Sequence, residues 1–317
     1  LKGFIDPRNK PFLWVYEKGN PEIRKAKPDT TAFINHYYSF TTPEGEKDTE
    51  SFENAFAELE DKVAPVFDKI KAQEGLNDEE RALFSVFLGF TMTRVPGYRN
   101  NVERAIAKLT KGRILSLAED PERRRSSVER YKRATGDDRE ISIEDLRDFA
   151  LSSEYDIVPS PEASLAMIHL GKEFAPLFYR MTWTFLLAND DFKFPTSDNP
   201  LIYYRVRPNG QVLFSEAGLA LEDVEVLFPI SQDLLLLGSW GLWPAGYFPA
   251  KNNKIKQATR LIVMAAQKYI FASKRSEGLS RLVQKHRDVS IKFEVHKIKD
   301  GKDREYYALF QRLAKKE

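Results

Sequence analysis

Four polar residues have types and positions suited to chemistry: Glu53, Glu60, Arg94 and Asp198. The two glutamates fall in a stretch with helical spacing, where Phe52, Phe56, Leu59, Val63, Val66 and Ile70 line one apolar stripe. Both lie on the same flank of that stripe, about two turns and roughly 10 Å apart along the axis. They share a face, but by themselves they are too far apart to chelate one metal ion. Arg94 closes an apolar run, where a cation complements the helix dipole and can also reach a buried carboxylate or a phosphate. Asp198 lies in Phe194-Pro195-Thr196-Ser197-Asp198-Asn199-Pro200, whose prolines fix φ and whose short polar side chains bond their own backbone. Such a corner holds a carboxylate in place. Each residue also has a plainer reading: boundary glutamates paired with Lys or Arg, a helix-end cation, and a capped turn. His36 is a more remote candidate, and the lone His169 reads as a packed side chain.

The elements that must position these residues follow from periodicity. Phe12 to Tyr16 reads as a strand, and residues 1–48 as a β-rich beginning. Residues 49–190 read as mainly helical, with Pro65 breaking or kinking the first helix. A capping box at Asn77 to Glu80 opens the second helix, which is apolar nearly all round and belongs inside a bundle. A long run from Leu165 to Leu187 reads as a helix bent at Pro176. After the corner, residues 194–240 read as strands, with a hairpin at Arg207-Pro208-Asn209-Gly210. Leu234 to Leu237 shows no alternation, which predicts a strand covered on both faces. Residues 252–273 read as an amphipathic helix and 274–317 as an appendage. The expected fold is α+β: a helical bundle packed with an antiparallel β-sheet and closed by a C-terminal helix, in a single domain over 1–273.

Composition narrows the function classes. The 317 residues are 42% hydrophobic, enough for a real core, and 49 Lys and Arg against 47 Asp and Glu leave a net charge of +2. Any charge signal is therefore local. The stretch from Arg99 to Arg139 holds 12 basic and 7 acidic residues, so it is a candidate for nucleic acid or a phosphorylated ligand, with paired solvent faces as the plainer reading. The absence of cysteine excludes disulfides and thiolate chemistry and fits a reducing compartment, so the cytoplasm is the expected location. The most apolar run, Ala82 to Met92, is shorter than the roughly 20 residues that span a bilayer, so no membrane partner is expected. The chain has no glycine-rich phosphate loop, nucleophile elbow or His-x-x-x-His pair.

The order of several pieces is similar to the bacterial domain of unknown function 4238 family. These are Leu1-Lys2-Gly3-Phe4, Tyr37-Tyr38 before the helix with Glu53 and Glu60, Arg94-Val95-Pro96, Phe194 to Pro200, Leu227-Phe228-Pro229-Ile230-Ser231, and Asn252 to Ser273. Thr196-Ser197-Asp198-Asn199-Pro200 is the most specific piece. The resemblance implies that Glu53, Glu60, Arg94 and Asp198 occupy the family's recurrent polar positions and converge on one site. Family members carry a His-Tyr-x-Pro run just before the part matching Leu1 to Phe4, so that histidine lies outside this sequence. The resemblance supplies no reaction.

Two functional expectations follow. One is a metal-dependent hydrolase of phosphodiester or phosphorylated substrates. In it Glu53, Glu60 and Asp198 bind Mg²⁺ or Mn²⁺, and Arg94 with Asp198 acts on the substrate. The alternative is a non-enzymatic sensor or interaction protein of a bacterial defence or stress system, its polar set a structural network. They differ in exposure: an enzyme needs these groups at a reachable cleft, whereas a network has them buried and paired.

Overall fold

The computed structural model describes residues 1–9, 11–28, 31, 40–41, 47–48, 51–137, 139–140, 142–152, 154–160, 171–215, 217–299 and 305–315. His36, Tyr37, Tyr38 and His169 lie outside them. The chain begins with strands β1 (Leu13–Glu17), β2 (Asn20–Ala26), β3 (Phe40–Thr41) and β4 (Lys47–Asp48). Helices α1 (Ser51–Lys71), α2 (Asp78–Thr93), α3 (Pro96–Glu119), α4 (Pro121–Thr135), α5 (Ile143–Ser152) and α6 (Gly171–Arg180) follow. Next come β5 (Thr182–Leu187), β6 (Thr196–Ser197), β7 (Ile202–Val206), β8 (Val212–Leu213), β9 (Val224–Ser231), β10 (Leu234–Ser239) and β11 (Gly246–Pro249). The last elements are α7 (Asn252–Ala265), β12 (Tyr269–Ala272), α8 (Glu277–Lys285), β13 (Val289–Lys299) and β14 (Glu305–Lys315). The fold is α+β, a helical bundle packed against a sheet.

That sheet has six strands in the order β11-β5-β10-β9-β7-β8. Its neighbours run antiparallel except β11 beside β5, which are parallel, so the sheet is mixed rather than antiparallel throughout. Along β10 the side chains alternate between two cores. Leu234 and Leu236 pack with Val63, Val66, Phe84 and Phe87 of the helical bundle, whereas Leu235 and Leu237 pack with Ile255, Ala258 and Leu261 of α7. An apolar run without alternation is what a strand covered on both faces requires.

A second, four-stranded sheet has the order β2-β1-β12-β6, and α8 packs on it through Leu279, Leu282 and Val283. The β13–β14 hairpin lies against α3 and the large sheet. There the Asn101 side-chain amide donates to the Ile291 carbonyl (3.1 Å), and that of Gln311 donates to Tyr203 (2.9 Å).

Local sequence explains most elements. Asn77 and Glu80 form the reciprocal capping box of α2, at 2.9 and 3.0 Å. The β7–β8 turn closes with Arg207 N–H on Gln211 (3.0 Å), and Gly210 takes φ +78°. α1 runs through Pro65 without a break, because Val63, Val66 and Ile70 stay buried on both sides of it. Two expected helices are shorter than the sequence implied. The run to Leu187 ends at Arg180 and continues as β5, where Trp183 and Phe185 face the bundle and Thr184 and Leu186 face away. The helix expected over 252–273 ends at Ala265, and Tyr269–Ala272 pairs with β1 and β6.

The basic stretch forms α3, α4 and the residues after them. Three of its cations pair with neighbouring acids: Arg99 with Glu103 (2.9 Å), Arg123 with Asp120 (3.1 Å) and Arg139 with Asp137 (2.6 Å). No described helix is long and apolar enough to cross a membrane.

The bundle is pinned where α2 crosses the start of α6. A Cβ placed on Gly89 would lie 2.0 Å from the Gly171 carbonyl oxygen, so only two glycines allow this approach. Arg81 fixes the other end of α6, donating to the carbonyls of Tyr179 (2.9 Å) and Met181 (2.6 Å) with its guanidinium 4.0 Å from the Trp183 ring centroid. Gly89→Ala is expected to lower the unfolding free energy by about 1–3 kcal/mol through overpacking, despite the better helix propensity of alanine. Urea unfolding checks this, and an unchanged or raised midpoint would contradict the crossing.

Candidate functional site

The corner folds onto the turn that leaves α7. Oδ1 of Asp198 accepts the backbone N–H of Gln267 (2.8 Å), and Oδ2 accepts those of Lys268 (2.7 Å) and Tyr269 (2.9 Å). The Asp198 N–H returns a bond to the Tyr269 carbonyl at 3.1 Å. The Asn199 side-chain amide donates to Ala265 (3.1 Å), and the Ser197 hydroxyl donates to the Asn199 carbonyl (2.9 Å). Lys18, only 6% exposed, donates through Nζ to the carbonyls of Ala266 (2.6 Å), Val289 (2.7 Å) and Met264 (3.3 Å). One carboxylate thus holds the N–H groups of the turn while one ammonium holds its carbonyls. Burial pushes the Asp198 carboxyl above its ordinary pKa, against the pull of the three N–H donors and the Lys18 charge.

The Arg94-Val95-Pro96 piece meets the same turn. Val95, Gly97, Tyr98 and Asn101 enclose a hole of about 30 Å³ with Asn199 and Gln267. A Cβ on Gly97 would come within 2.5 Å of the Gln267 side chain, so the approach of α3 depends on this glycine. Burial pushes the Tyr98 hydroxyl up to about 12. Arg94 itself caps α2 and pairs with Glu60 (2.5 Å), its guanidinium 5.7 Å from the Phe56 ring centroid and 6.0 Å from that of Phe87. Glu60 and Arg94 are therefore brought together. Glu53 sits half-buried in the first turn of α1, and both oxygens of Asp198 are committed to the 267–269 backbone. Among the described residues no group of three or more His, Asp or Glu could hold a metal ion.

A far larger space lies on the α7 side of the six-stranded sheet, a cavity of about 410 Å³. Leu186, Leu227, Leu235 and Leu237 from the strands, with Ala258 and Leu261 from α7, form its walls. One charged side chain enters this apolar room from the sheet: Glu225 of β9, 7% exposed. Its Oε2 accepts the hydroxyl of Tyr204 (2.8 Å), its cross-strand partner on β7, and its Oε1 accepts the indole N–H of Trp243 (2.6 Å) from the loop before β11. Burial and the adjoining Glu225 charge push the Tyr204 pKa far up, which keeps its proton available for donation. Lys251, Lys254 and Gln257 are exposed at the rim, with Lys254 Nζ 4.7 Å from the Trp243 ring centroid.

Sequence reasoning passed over Glu225, although it is the single charge in Val224-Glu225-Val226-Leu227-Phe228-Pro229-Ile230. A carboxylate in an otherwise apolar strand must be partnered inside the fold, and that signal was readable. Lys18, in the β1–β2 turn, carries no such mark.

The fold and these contacts define an α+β protein in which the corner at Asp198 and Asn199, together with Lys18, grips one turn, beside a roomy apolar cavity with an oriented buried carboxylate. The family described as Protein of unknown function (DUF4238) matches residues 1–276, and the chain belongs to that family. No curated protein and no solved structure matches it.

Removing the Asp198 carboxylate leaves three backbone N–H groups to find new partners. Asp198→Ala is expected to cost about 3 kcal/mol or more, read by chemical denaturation; a loss below about 1 kcal/mol would mean the corner does not hold the turn. A second expectation concerns pH. His286 is buried against the cations of Arg260, Lys18 and Lys285, and burial with these charges lowers its pKa below 6.5. As pH falls below 6.5 the unfolded chain takes up a proton that the folded chain refuses, so stability is lost as pH falls towards the depressed value. In His286→Gln that loss should shrink, measured as unfolding midpoints between pH 7.5 and 5.5.

Proposed function

We propose that the protein is a small-molecule-binding sensor whose ligand enters the cavity between the six-stranded sheet and α7, the family corner serving as a structural clasp. The observation that carries this reading is a cavity of ligand size, apolar in its walls, with one buried carboxylate fixed by two donors. The response has a physical route. α7 roofs the cavity, and its last turn runs directly into the residues held by Asp198 and Lys18. A ligand that shifts α7 changes the strain on those bonds. Metal-assisted hydrolysis instead needs Asp198 to release backbone donors so that it can share an ion with Glu53 and Glu60.

Titration with 1-anilinonaphthalene-8-sulfonate tests the reading. Saturable binding of one probe per chain is expected, lost in both Ala258→Phe and Leu186→Trp, which fill the cavity from the helix and from the sheet. Hydrogen exchange at the amides of Gln267, Lys268 and Tyr269 should change on saturation. Probe binding that survives both fillings, or exchange that does not move, would overturn the proposal. So would a rise in thermal midpoint with Mg²⁺ or Mn²⁺ that EDTA reverses and Asp198→Asn abolishes.

A further inference from the structure

Resting on that reading, we infer that the cavity selects a ligand with an N–H donor at its inner end, an apolar body, and an anionic group at its outer end. The inner requirement comes from Glu225. A carboxylate offers about four acceptor positions, and here each oxygen receives one hydrogen bond, from Tyr204 and from Trp243 respectively. Both partners are donors that orient the group without neutralising it. A charge this deeply buried is costly unless further donors or a cation meet it, and the open side of Glu225 is the cavity. A ligand N–H placed there is rewarded, and a ligand acceptor is repelled.

The middle requirement comes from the leucine walls, which offer no partner to a polar body. At the rim the charge reverses. Lys251 and Lys254 are exposed, and among the described residues neither sits in an ion pair. Lys254 also lies over Trp243, the residue that holds Glu225, so the outer cation and the inner anion share one indole. A ligand spanning the cavity therefore meets an acceptor inside and ammonium groups outside, which fixes its direction as well as its class. The outer group is a carboxylate or a phosphate, since either pairs with lysine.

Matched probes separate the requirements. Indole-3-acetate has the N–H, the apolar rings and the acid; naphthalene-1-acetate lacks the N–H; 3-methylindole lacks the acid; 3-indoxyl phosphate exchanges carboxylate for phosphate. By calorimetry or displacement of the fluorescent probe, indole-3-acetate or 3-indoxyl phosphate should bind at least about tenfold more tightly than naphthalene-1-acetate and 3-methylindole. The tighter of the two acids identifies the outer group. Glu225→Gln should erase the preference for the N–H, and Trp243→Phe, which loosens Glu225, should weaken it. Lys251→Gln with Lys254→Gln should erase the preference for the acid, and these exposed positions leave the fold intact. Equal affinities across the probes, preferences that persist in the variants, or no binding of any indole by a protein that still binds the naphthalene sulfonate would each overturn the inference. The last three results leave the cavity itself standing as a binding site, whereas failure of the sulfonate probe removes the reading beneath it.

Discussion

Three consecutive backbone N–H groups converge on the Asp198 carboxylate, and the relation between the two sheets depends on that contact. A helix that stops in the interior leaves its last carbonyls and the following amides without helical partners. α7 stops in that way at Ala265, and the chain turns at once into β12. Asp198 satisfies the amides, while Lys18 and Asn199 satisfy carbonyls. α7 can then lie across the six-stranded sheet while β12, four residues later, sits inside the four-stranded one. The corner that carries Asp198 pairs with β12 and supplies Ile202 of β7 a few residues on, so one short segment touches both sheets.

The sequence made much of the framework legible, for physical reasons that can be named. Asn77 and Glu80 announced α2 because the capping box is local, and Asn209-Gly210 announced the hairpin because a positive φ must be accommodated within the turn itself. Leu234 to Leu237 announced a two-faced strand. Thr182 to Leu187 misled, since its aromatic and apolar residues continue the helical stripe of the segment before it; only the neighbouring β10 and β11 make it a strand. The end of α7 was invisible because what stops it comes from residues 18 and 198. The candidate site divides the same way. The rigid corner was readable from its prolines and hydroxyls, but what its carboxylate bonds to was not. The cavity is built from residues between 184 and 261 that meet only once the sheet is formed.

Two carboxylates, Asp198 half-buried and Glu225 buried, show how much the choice of partners matters. Asp198 takes three backbone donors whose positions the fold fixes, one on Oδ1 and two on Oδ2, so its charge is absorbed into the architecture. Glu225 receives one side-chain donor on each oxygen and faces open volume. The first arrangement is held by the backbone alone, while the second has fewer donors and faces an apolar cavity, where an added hydrogen bond is strong. The corner at Thr196–Pro200 and the cavity at Glu225 are for that reason different places in this protein.

The strand order β2-β1-β12-β6 also has a consequence for synthesis. β1 is an interior strand whose partner on one side is β12, and Lys18 at its end bonds residues 246 to 271 positions further along the chain. At about 5–20 residues per second, a ribosome takes roughly 12–50 s to make that much polypeptide. Until then the β1–β2 hairpin presents an open edge of unpaired N–H and C=O groups. The nascent chain is thus exposed to mispairing at β1 and β2, and a chaperone that shields residues 13–26 during translation would act where this topology leaves a long exposure.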